Sequence, residues 1–282
     1  MGDAVEVTTP LPLTEGRLKV VVTGAAGRVG RGFARCAADR FELLLLDRPG
    51  ADLSGLAAYG RTGHCDLADL SRLTDFCRGA DCVLHLAADS STAAGWDSVL
   101  ASNIVGTYHL FTACKEARCP RVVFASSVHA VSGYAPGRQI APDAPVNPGN
   151  LYGVSKCFGE ALGRYMAERE GLTVLAVRMG AFQTPEAARE SNSEWMIGTF
   201  VADQDLHQLL ERAIRVEGIR FGIFHAVSDN WFKRLDISTT RELLGYEPAH
   251  DFMRLSPVFR DLFTGLPHGR DPSTTEGGGS PD

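Results

Sequence analysis

The run Lys19-Val20-Val21-Val22-Thr23, with Gly24-Ala25-Ala26-Gly27-Arg28-Val29-Gly30 directly after it, decides the reading of this chain. Three adjacent valines and a threonine make a short β-branched stretch that suits a strand. Past the glycines a helical pattern runs to about Asp39. Strand, tight loop and helix follow one another, and in that setting each glycine has a steric task. Gly24 allows the turn, Gly27 lets backbone approach a pyrophosphate, and Gly30 permits close packing of helix on strand. Ala26, Arg28 and Val29 complete the expected cradle. Three glycines alone are weak evidence in a chain that holds 30. Asp47 sharpens the case, because it ends a second strand near the roughly 20-residue spacing at which an acid meets the adenosine ribose hydroxyls. An anionic Asp47 repels a 2′-phosphate and favours NAD over NADP, although Arg48 beside it leaves a phosphate partner open.

Outward from this stretch the alternation repeats. Glu42 to Asp47 contains four consecutive leucines, too short for a lone helix and suited to a strand buried on both faces of a parallel sheet. Further apolar runs at Cys82 to Leu86, Val122 to Ala125 and Val174 to Val177 are separated by amphipathic stretches such as Ile104 to Ala117 and Gly153 to Glu168. The pattern predicts an α/β chain, a Rossmann-type doubly wound parallel sheet whose ligands bind beyond the carboxyl ends of the strands. After Arg178 the pattern loosens into a polar loop from Pro185 to Ser193, a helix from Asp205 to Val216 and a strand at Phe221 to Val227. The expected organisation is a flexible extension over 1–17, an NAD-binding domain over 18–180, a small substrate-binding subdomain over 181–265 and a disordered tail over 266–282.

Composition narrows the partners. The 282 residues, 44% hydrophobic and 22% charged, suit one globular unit. A net charge of −6 supplies no positive field for nucleic acid or an anionic membrane surface, which leaves a small molecule. No apolar run reaches the roughly 18 residues that span a bilayer, and Met1 to Gly16 lacks the apolar core of a secretory signal, so a cytoplasmic location is expected. Seven cysteines without a CxxC pair read as reduced thiols, with no metal site among them.

A second chemical signal is Tyr152-Gly153-Val154-Ser155-Lys156, which a helix would place with phenol and ammonium on one face. A free tyrosine near pKa 10 is a poor base at neutral pH, and a nearby cation is expected to draw it toward the working range. The strand Val122 to Ala125 runs into Ser126-Ser127, where a hydroxyl would stand at the carboxyl edge of the sheet and hold a substrate oxygen. By themselves the two serines read equally as a polar exit from a strand.

Taken in order, the glycine loop, Asp47, Asp66-Leu67, His85-Leu86-Ala87-Ala88, Asn103 with Gly106-Thr107, Ser126-Ser127 and the Tyr152 to Lys156 pentapeptide resemble the extended short-chain dehydrogenase/reductases, the NAD-dependent epimerase/dehydratases. That resemblance implies NAD as cofactor, with Ser127, Tyr152 and Lys156 as the catalytic trio. It places Asp66 and Leu67 against the adenine, Leu86, Ala87 and Ala88 along the nucleotide groove, and Lys156 also on the nicotinamide ribose. Asn103 would support the cofactor site, or serve as a helix-capping or buried amide. Homodimerisation through two helices, one bearing Tyr152, is implied in the same way.

Within the family the chain is most similar to uronate dehydrogenases, which oxidise the C1 hydroxyl of a hexuronic acid to a lactone. Phe124-Ala125-Ser126-Ser127, His129, Leu151 to Glu160 and Ser228-Asp229-Asn230-Trp231 carry this likeness. It implies that Ser90 and His129 touch the sugar, against the plainer readings of a loop hydroxyl and a structural histidine. Three polar substrate contacts of those enzymes are replaced by Val128, Ala181 and Trp195. An indole cannot hold a carboxylate as a bidentate arginine does, so a uronate is not expected unless Arg189 or another cation substitutes. Trp195 would stack on an apolar sugar face or serve as a core or lid aromatic.

The expected activity is hydride transfer between NAD and a hydroxyl carbon of a sugar-like small molecule. The alternatives are an NAD-retaining sugar or sugar-nucleotide epimerase or dehydratase, and a non-catalytic NAD-binding regulator.

Overall fold

In the computed structural model, which describes residues 10–263, the apolar runs become strands of one parallel sheet. The chain runs through β1 (Leu18–Thr23), α1 (Arg28–Ala37), β2 (Phe41–Asp47), β3 (Arg61–His64), α2 (Leu70–Cys77) and β4 (Cys82–His85). A continuous helical stretch follows, made of α3 (Trp96–Ser98), a π-helical segment (Val99–Val105) and α4 (Gly106–Ala117). Next come β5 (Arg121–Ser127), α5 (Leu151–Arg169) and β6 (Thr173–Met179). The last part holds β7 (Ala181–Gln183), α6 (Pro185–Arg189), α7 (Trp195–Thr199), β8 (Phe200–Ala202), α8 (Asp203–Arg215), β9 (Phe221–Ala226), α9 (Ser238–Leu244), α10 (Phe252–Leu255) and α11 (Pro257–Phe263).

Seven strands pair in the order β3-β2-β1-β4-β5-β6-β9, every pair parallel. Sheet growth reverses direction between β1 and β4, the point where doubly wound sheets open a crevice for a ligand. Because side chains alternate across a strand, Val20 and Val22 of β1 and Leu43 and Leu45 of β2 join Phe33 of α1 and Leu206 and Leu210 of α8 on one face. Val21 and Leu46 point the other way, into a second core with Leu73 of α2 and Leu110 and Phe111 of α4. Burial on both faces explains why four leucines in a row make a strand. A third, smaller core around Ala188, Met196, Phe200 and Phe252 supports the short pair β7–β8.

Four features depart from the sequence reading. β3 carries no apolar run because Arg61-Thr62-Gly63-His64 lies at the sheet edge, largely exposed. α5 starts at Leu151, earlier than its apolar pattern, because the Asn150 side chain accepts the Gly153 N–H and so caps the helix. Residues 203–226, assigned from sequence to the small subdomain, supply α8 and β9, which cover and extend the main sheet. Within the expected N-terminal extension, residues 10–17 are tethered: Leu11 N–H donates to Leu243 O and Thr14 N–H to Arg215 O, at 3.1 and 2.7 Å. Residues 1–9 and the expected tail at 266–282 lie outside the described residues.

The helix that matters most for the site, α5, lies close against β5 because Gly159 faces the Phe124 ring. A Cβ on Gly159 would stand 2.2 Å from Phe124 Cζ. Gly159→Ala gains about 1 kcal/mol of helix propensity but overpacks by up to about 3 kcal/mol. The expected outcome is a net destabilisation of about 2 kcal/mol, read as a lower denaturant midpoint with unchanged slope; a midpoint equal to or above the parent's would show that α5 can lift without cost.

Candidate active site

The end of β1 and the start of α1 form the first half of the site. Gly24 turns with φ 71°, and a Cβ there would stand 2.7 Å from the backbone nitrogen of Ala87, beyond β4. A Cβ on Gly30 would stand 2.6 Å from Gly24 O. Loop, helix and the Leu86-Ala87-Ala88 segment therefore meet without side chains between them. Gly27 occupies the N-cap position of α1, and no side chain bonds the first turn's amides. Those N–H groups, with the helix dipole behind them, suit an anionic ligand such as a pyrophosphate.

Asp47 is built into the same cradle. Its Oδ2 accepts the Ala26 N–H and its Oδ1 the Arg48 N–H, each at 2.8 Å. The carboxylate is fixed at the end of β2 beside the glycine loop, with lone pairs left over for ribose hydroxyls. The Arg48 side chain is exposed. Cys65 N–H bonds Asp47 O at 2.8 Å, which sets Asp66 and Leu67 at the same sheet edge. Asp66 Oδ1 accepts the Ala68 N–H, and Leu67 packs where Gly106 leaves room. A cradle that a Cβ would fill, next to an anchored acid, fits a dinucleotide.

Asn103 lies inside the π-helical segment, buried, with its amide spent within the protein. Its Oδ1 accepts the Asp89 N–H at 2.8 Å, and Nδ2 donates to Asp89 O and to Ser155 Oγ at 2.9 and 3.0 Å. Ser155 in turn donates to Tyr152 O at 2.7 Å. Asn103 thus ties the loop after β4 to the first turn of α5, a bridging role that leaves no amide hydrogen for a ligand.

At the end of β5 the two serines separate. Ser126 is buried and donates to Glu160 Oε1 at 2.5 Å. Ser127 accepts the His129 N–H at 3.2 Å and interacts with the Tyr152 phenol, leaving it the serine available to chemistry. Tyr152 and Lys156 share one environment, with the ammonium nitrogen 5.4 Å from the phenol ring centroid and 5.0 Å from that of Phe124.

Their protonation differs from the sequence expectation. Burial raises the Tyr152 phenol above its usual value, with Ser127 pulling the other way, so desolvation outweighs any help from the neighbouring ammonium. Lys156 itself is pushed down to about 7 by burial, partly restored by the Glu160 carboxylate one turn on. Glu160 is held by a bidentate pair with Arg178, 2.8 Å at both contacts and out of water. The resting site keeps a neutral phenol beside an ammonium close to losing its proton.

His129 and Trp195 form a wall beside Tyr152. The His129 ring meets Tyr152 edge-on at 5.8 Å, and Trp195 stacks on it nearly parallel at 6.1 Å and 13°. Trp195 is 42% exposed, so its role is not that of a core aromatic. Val128, expected at the substrate, packs in the main core instead, because the 3-10 turn after β5 points it inward while Ser127 and His129 face the site. Ala181 sits in β7, partly buried against the small core. Ser90 is exposed on the loop after β4. Arg189 pairs with Glu186 at 3.8 Å on the surface of α6. Sequence reasoning missed Asn150 and the Glu160–Arg178 pair. An asparagine just before a helical pattern was a readable cap signal for Asn150, whereas the ion pair joins residues 18 positions apart and carries no local signature.

The sequence profile of the NAD dependent epimerase/dehydratase family matches residues 20–214. An L-arabinose 1-dehydrogenase (NAD(P)(+)) of Haloferax volcanii is 32% identical over 252 residues, covering 82% of this chain and 96% of that one. A uronate dehydrogenase of Agrobacterium fabrum is 34% identical over 233 residues, covering 82% and 84%. The crystal structure of a mutant uronate dehydrogenase from Agrobacterium tumefaciens complexed with NAD superposes with a TM-score of 0.77 at 30% identity, covering 92% of this chain and 93% of that one.

Lys156 generates a stability prediction. Its folded pKa, about 7, lies below the unfolded value of 10.5, so between those limits the unfolded chain binds a proton that the folded chain lacks, and stability rises with pH. Below about 7 the full desolvation cost of the cation is present. Lys156→Met, similar in shape, is expected to be about 1–3 kcal/mol more stable than the parent near pH 6. That advantage should shrink toward pH 9.5, at roughly the rate linkage demands. Urea denaturation at both values checks it, and an advantage independent of pH would mean that the buried ammonium is not its source.

Proposed function

Because the chain belongs to the NAD dependent epimerase/dehydratase family, we propose that it acts there as a dehydrogenase, oxidising the anomeric hydroxyl of a free, uncharged sugar to the lactone. Bound NAD supplies the hydride acceptor. Gly24, Ala26, Gly27, Arg28, Val29 and Gly30 would hold its pyrophosphate, Asp47 the adenosine ribose and Lys156 the nicotinamide ribose. Ser127 holds the sugar oxygen by a hydrogen bond. Tyr152, as phenolate, takes the hydroxyl proton from that oxygen while the carbon gives up its hydrogen and the C=O bond forms. The Lys156 charge favours the phenolate against the burial that opposes it.

The observation that supports this reading is the grouping of Ser127, Tyr152 and Lys156 beside the flat pair His129–Trp195. Trp195 stands where the uronate enzymes are expected to place a carboxylate-binding arginine, and Arg189 lies at the surface of α6, 3.8 Å from Glu186. An aromatic face without a paired cation suits the C–H side of an uncharged pyranose. The arabinose enzyme among the relatives is named for such a sugar. The unit around Ala188, Phe200 and Phe252 then serves as the substrate side of the molecule.

A second copy is the expected protein partner, through the apolar residues Tyr108 of α4 and Val154 and Tyr165 of α5, which are left exposed. No helix among the described residues is long and apolar enough to cross a membrane, and a cytoplasmic location fits use of NAD.

Incubation with NAD and a panel of neutral aldoses, the matching uronates and sugar nucleotides tests the assignment by NADH absorbance. Stoichiometric NADH with an aldose, and a kcat/KM about a thousand-fold lower in Tyr152→Phe, is expected. NADH from uronates alone would refute the role given to Trp195. Tightly bound NAD that co-purifies, with no net NADH from any sugar, would instead mark an epimerase or dehydratase.

A further inference from the structure

Resting on the dehydrogenase reading of this site, we propose that Asn150 is a positioning residue that holds His129 in its Nε2–H tautomer, so that the substrate meets a fixed hydrogen-bond donor at the wall beside Tyr152. The Gly153 backbone N–H can only donate, so the Asn150 atom 2.8 Å from it is the carbonyl oxygen. That leaves the amide nitrogen 3.2 Å from His129 Nδ1. An amide nitrogen only donates, so Nδ1 accepts and carries no proton. Burial lowers the imidazole below its usual 6.5, which keeps it neutral, and a neutral ring with a bare Nδ1 has its hydrogen on Nε2.

The ring's orientation is fixed independently. Trp195 stacks on its face, Tyr152 meets it edge-on, and the His129 N–H is tied to Ser127 Oγ. A Cβ on Gly153 would stand 2.2 Å from His129 O, so the first turn of α5 is pressed directly against this residue's backbone. Nε2 has no hydrogen-bond partner among the described residues and is not one of their sealed polar atoms, so it is open to a ligand. A donor in this place suits a hydroxyl or ring oxygen of a sugar and, being uncharged, offers no ion pair to a carboxylate.

The residue type is informative. Asp, Ser or Thr would cap α5 about as well. The asparagine amide carries the two functions on separate atoms, an oxygen that accepts for the cap and a nitrogen that donates to Nδ1. Asn150→Asp therefore separates the two roles, since it keeps the cap and replaces the donor by an acceptor that demands a hydrogen on Nδ1.

Histidine labelled with 15N reads the tautomer, and His129→Gln assigns the signal by its loss. The parent is expected to show an unprotonated Nδ1 and a protonated Nε2, and Asn150→Asp a protonated Nδ1 with an unchanged melting profile. With the sugar that gives NADH, Asn150→Asp should lower kcat/KM roughly ten- to a hundred-fold, mostly through KM. A protonated Nδ1 in the parent, or an inverted tautomer with unaltered kinetics, would overturn the proposal. The spectrum needs no substrate, so a parent that oxidises no sugar would sink the dehydrogenase reading while the tautomer still decides the role of Asn150.

Discussion

An ammonium kept out of water organises this molecule. Lys156 is almost fully buried on α5, above the Phe124 ring, and burial alone brings it close to neutrality. What keeps a cation tolerable there is the Glu160 carboxylate one helical turn further on, and that carboxylate is buried only because Arg178 grips it through two hydrogen bonds and Ser126 donates a third. Each of these groups comes from a different place, Ser126 from β5, Glu160 from α5 and Arg178 from β6. The close seating of α5 on the sheet is therefore an electrostatic requirement as well as a packing result. If the helix lifted, the pair would meet water and the charge that serves the site would be screened.

The same seating arranges the groups proposed for proton transfer. Asn103 and Ser155 lock the loop after β4 to the first turn of α5, and Asn150 caps that turn while reaching His129. The helix turn that carries Tyr152 is thus fixed before any ligand arrives. Preorganisation of this kind lets a buried phenol, unfavourable as an anion in the resting protein, gain that charge when further positive charge is brought beside it.

On the proposed reading, substrate choice rests on the wall beside Tyr152. There the chain presents a flat indole on a neutral imidazole, with Val128 withdrawn into the core. Flat aromatic surface and single hydrogen-bond donors discriminate by shape and by unpaired polar groups, without recourse to an ion pair.

Much of this is legible in the sequence. The valine run with its glycines, the block of leucines ending at Asp47, and the Tyr152 to Lys156 spacing are local patterns, and local patterns determine strand, turn and helix face directly. They determined the doubly wound sheet and the glycine cradle that fits NAD, and they marked Tyr152 and Lys156 as candidates for proton transfer. Only the tertiary structure decided that β9 completes the sheet, that Val128 turns inward while His129 turns out, and that Glu160 finds Arg178. It also decided the direction of the Tyr152 shift. An ammonium one turn away favours a phenolate, but burial opposes it, and how much water a folded chain removes from a side chain is set by everything packed around it, which no spacing along the sequence records.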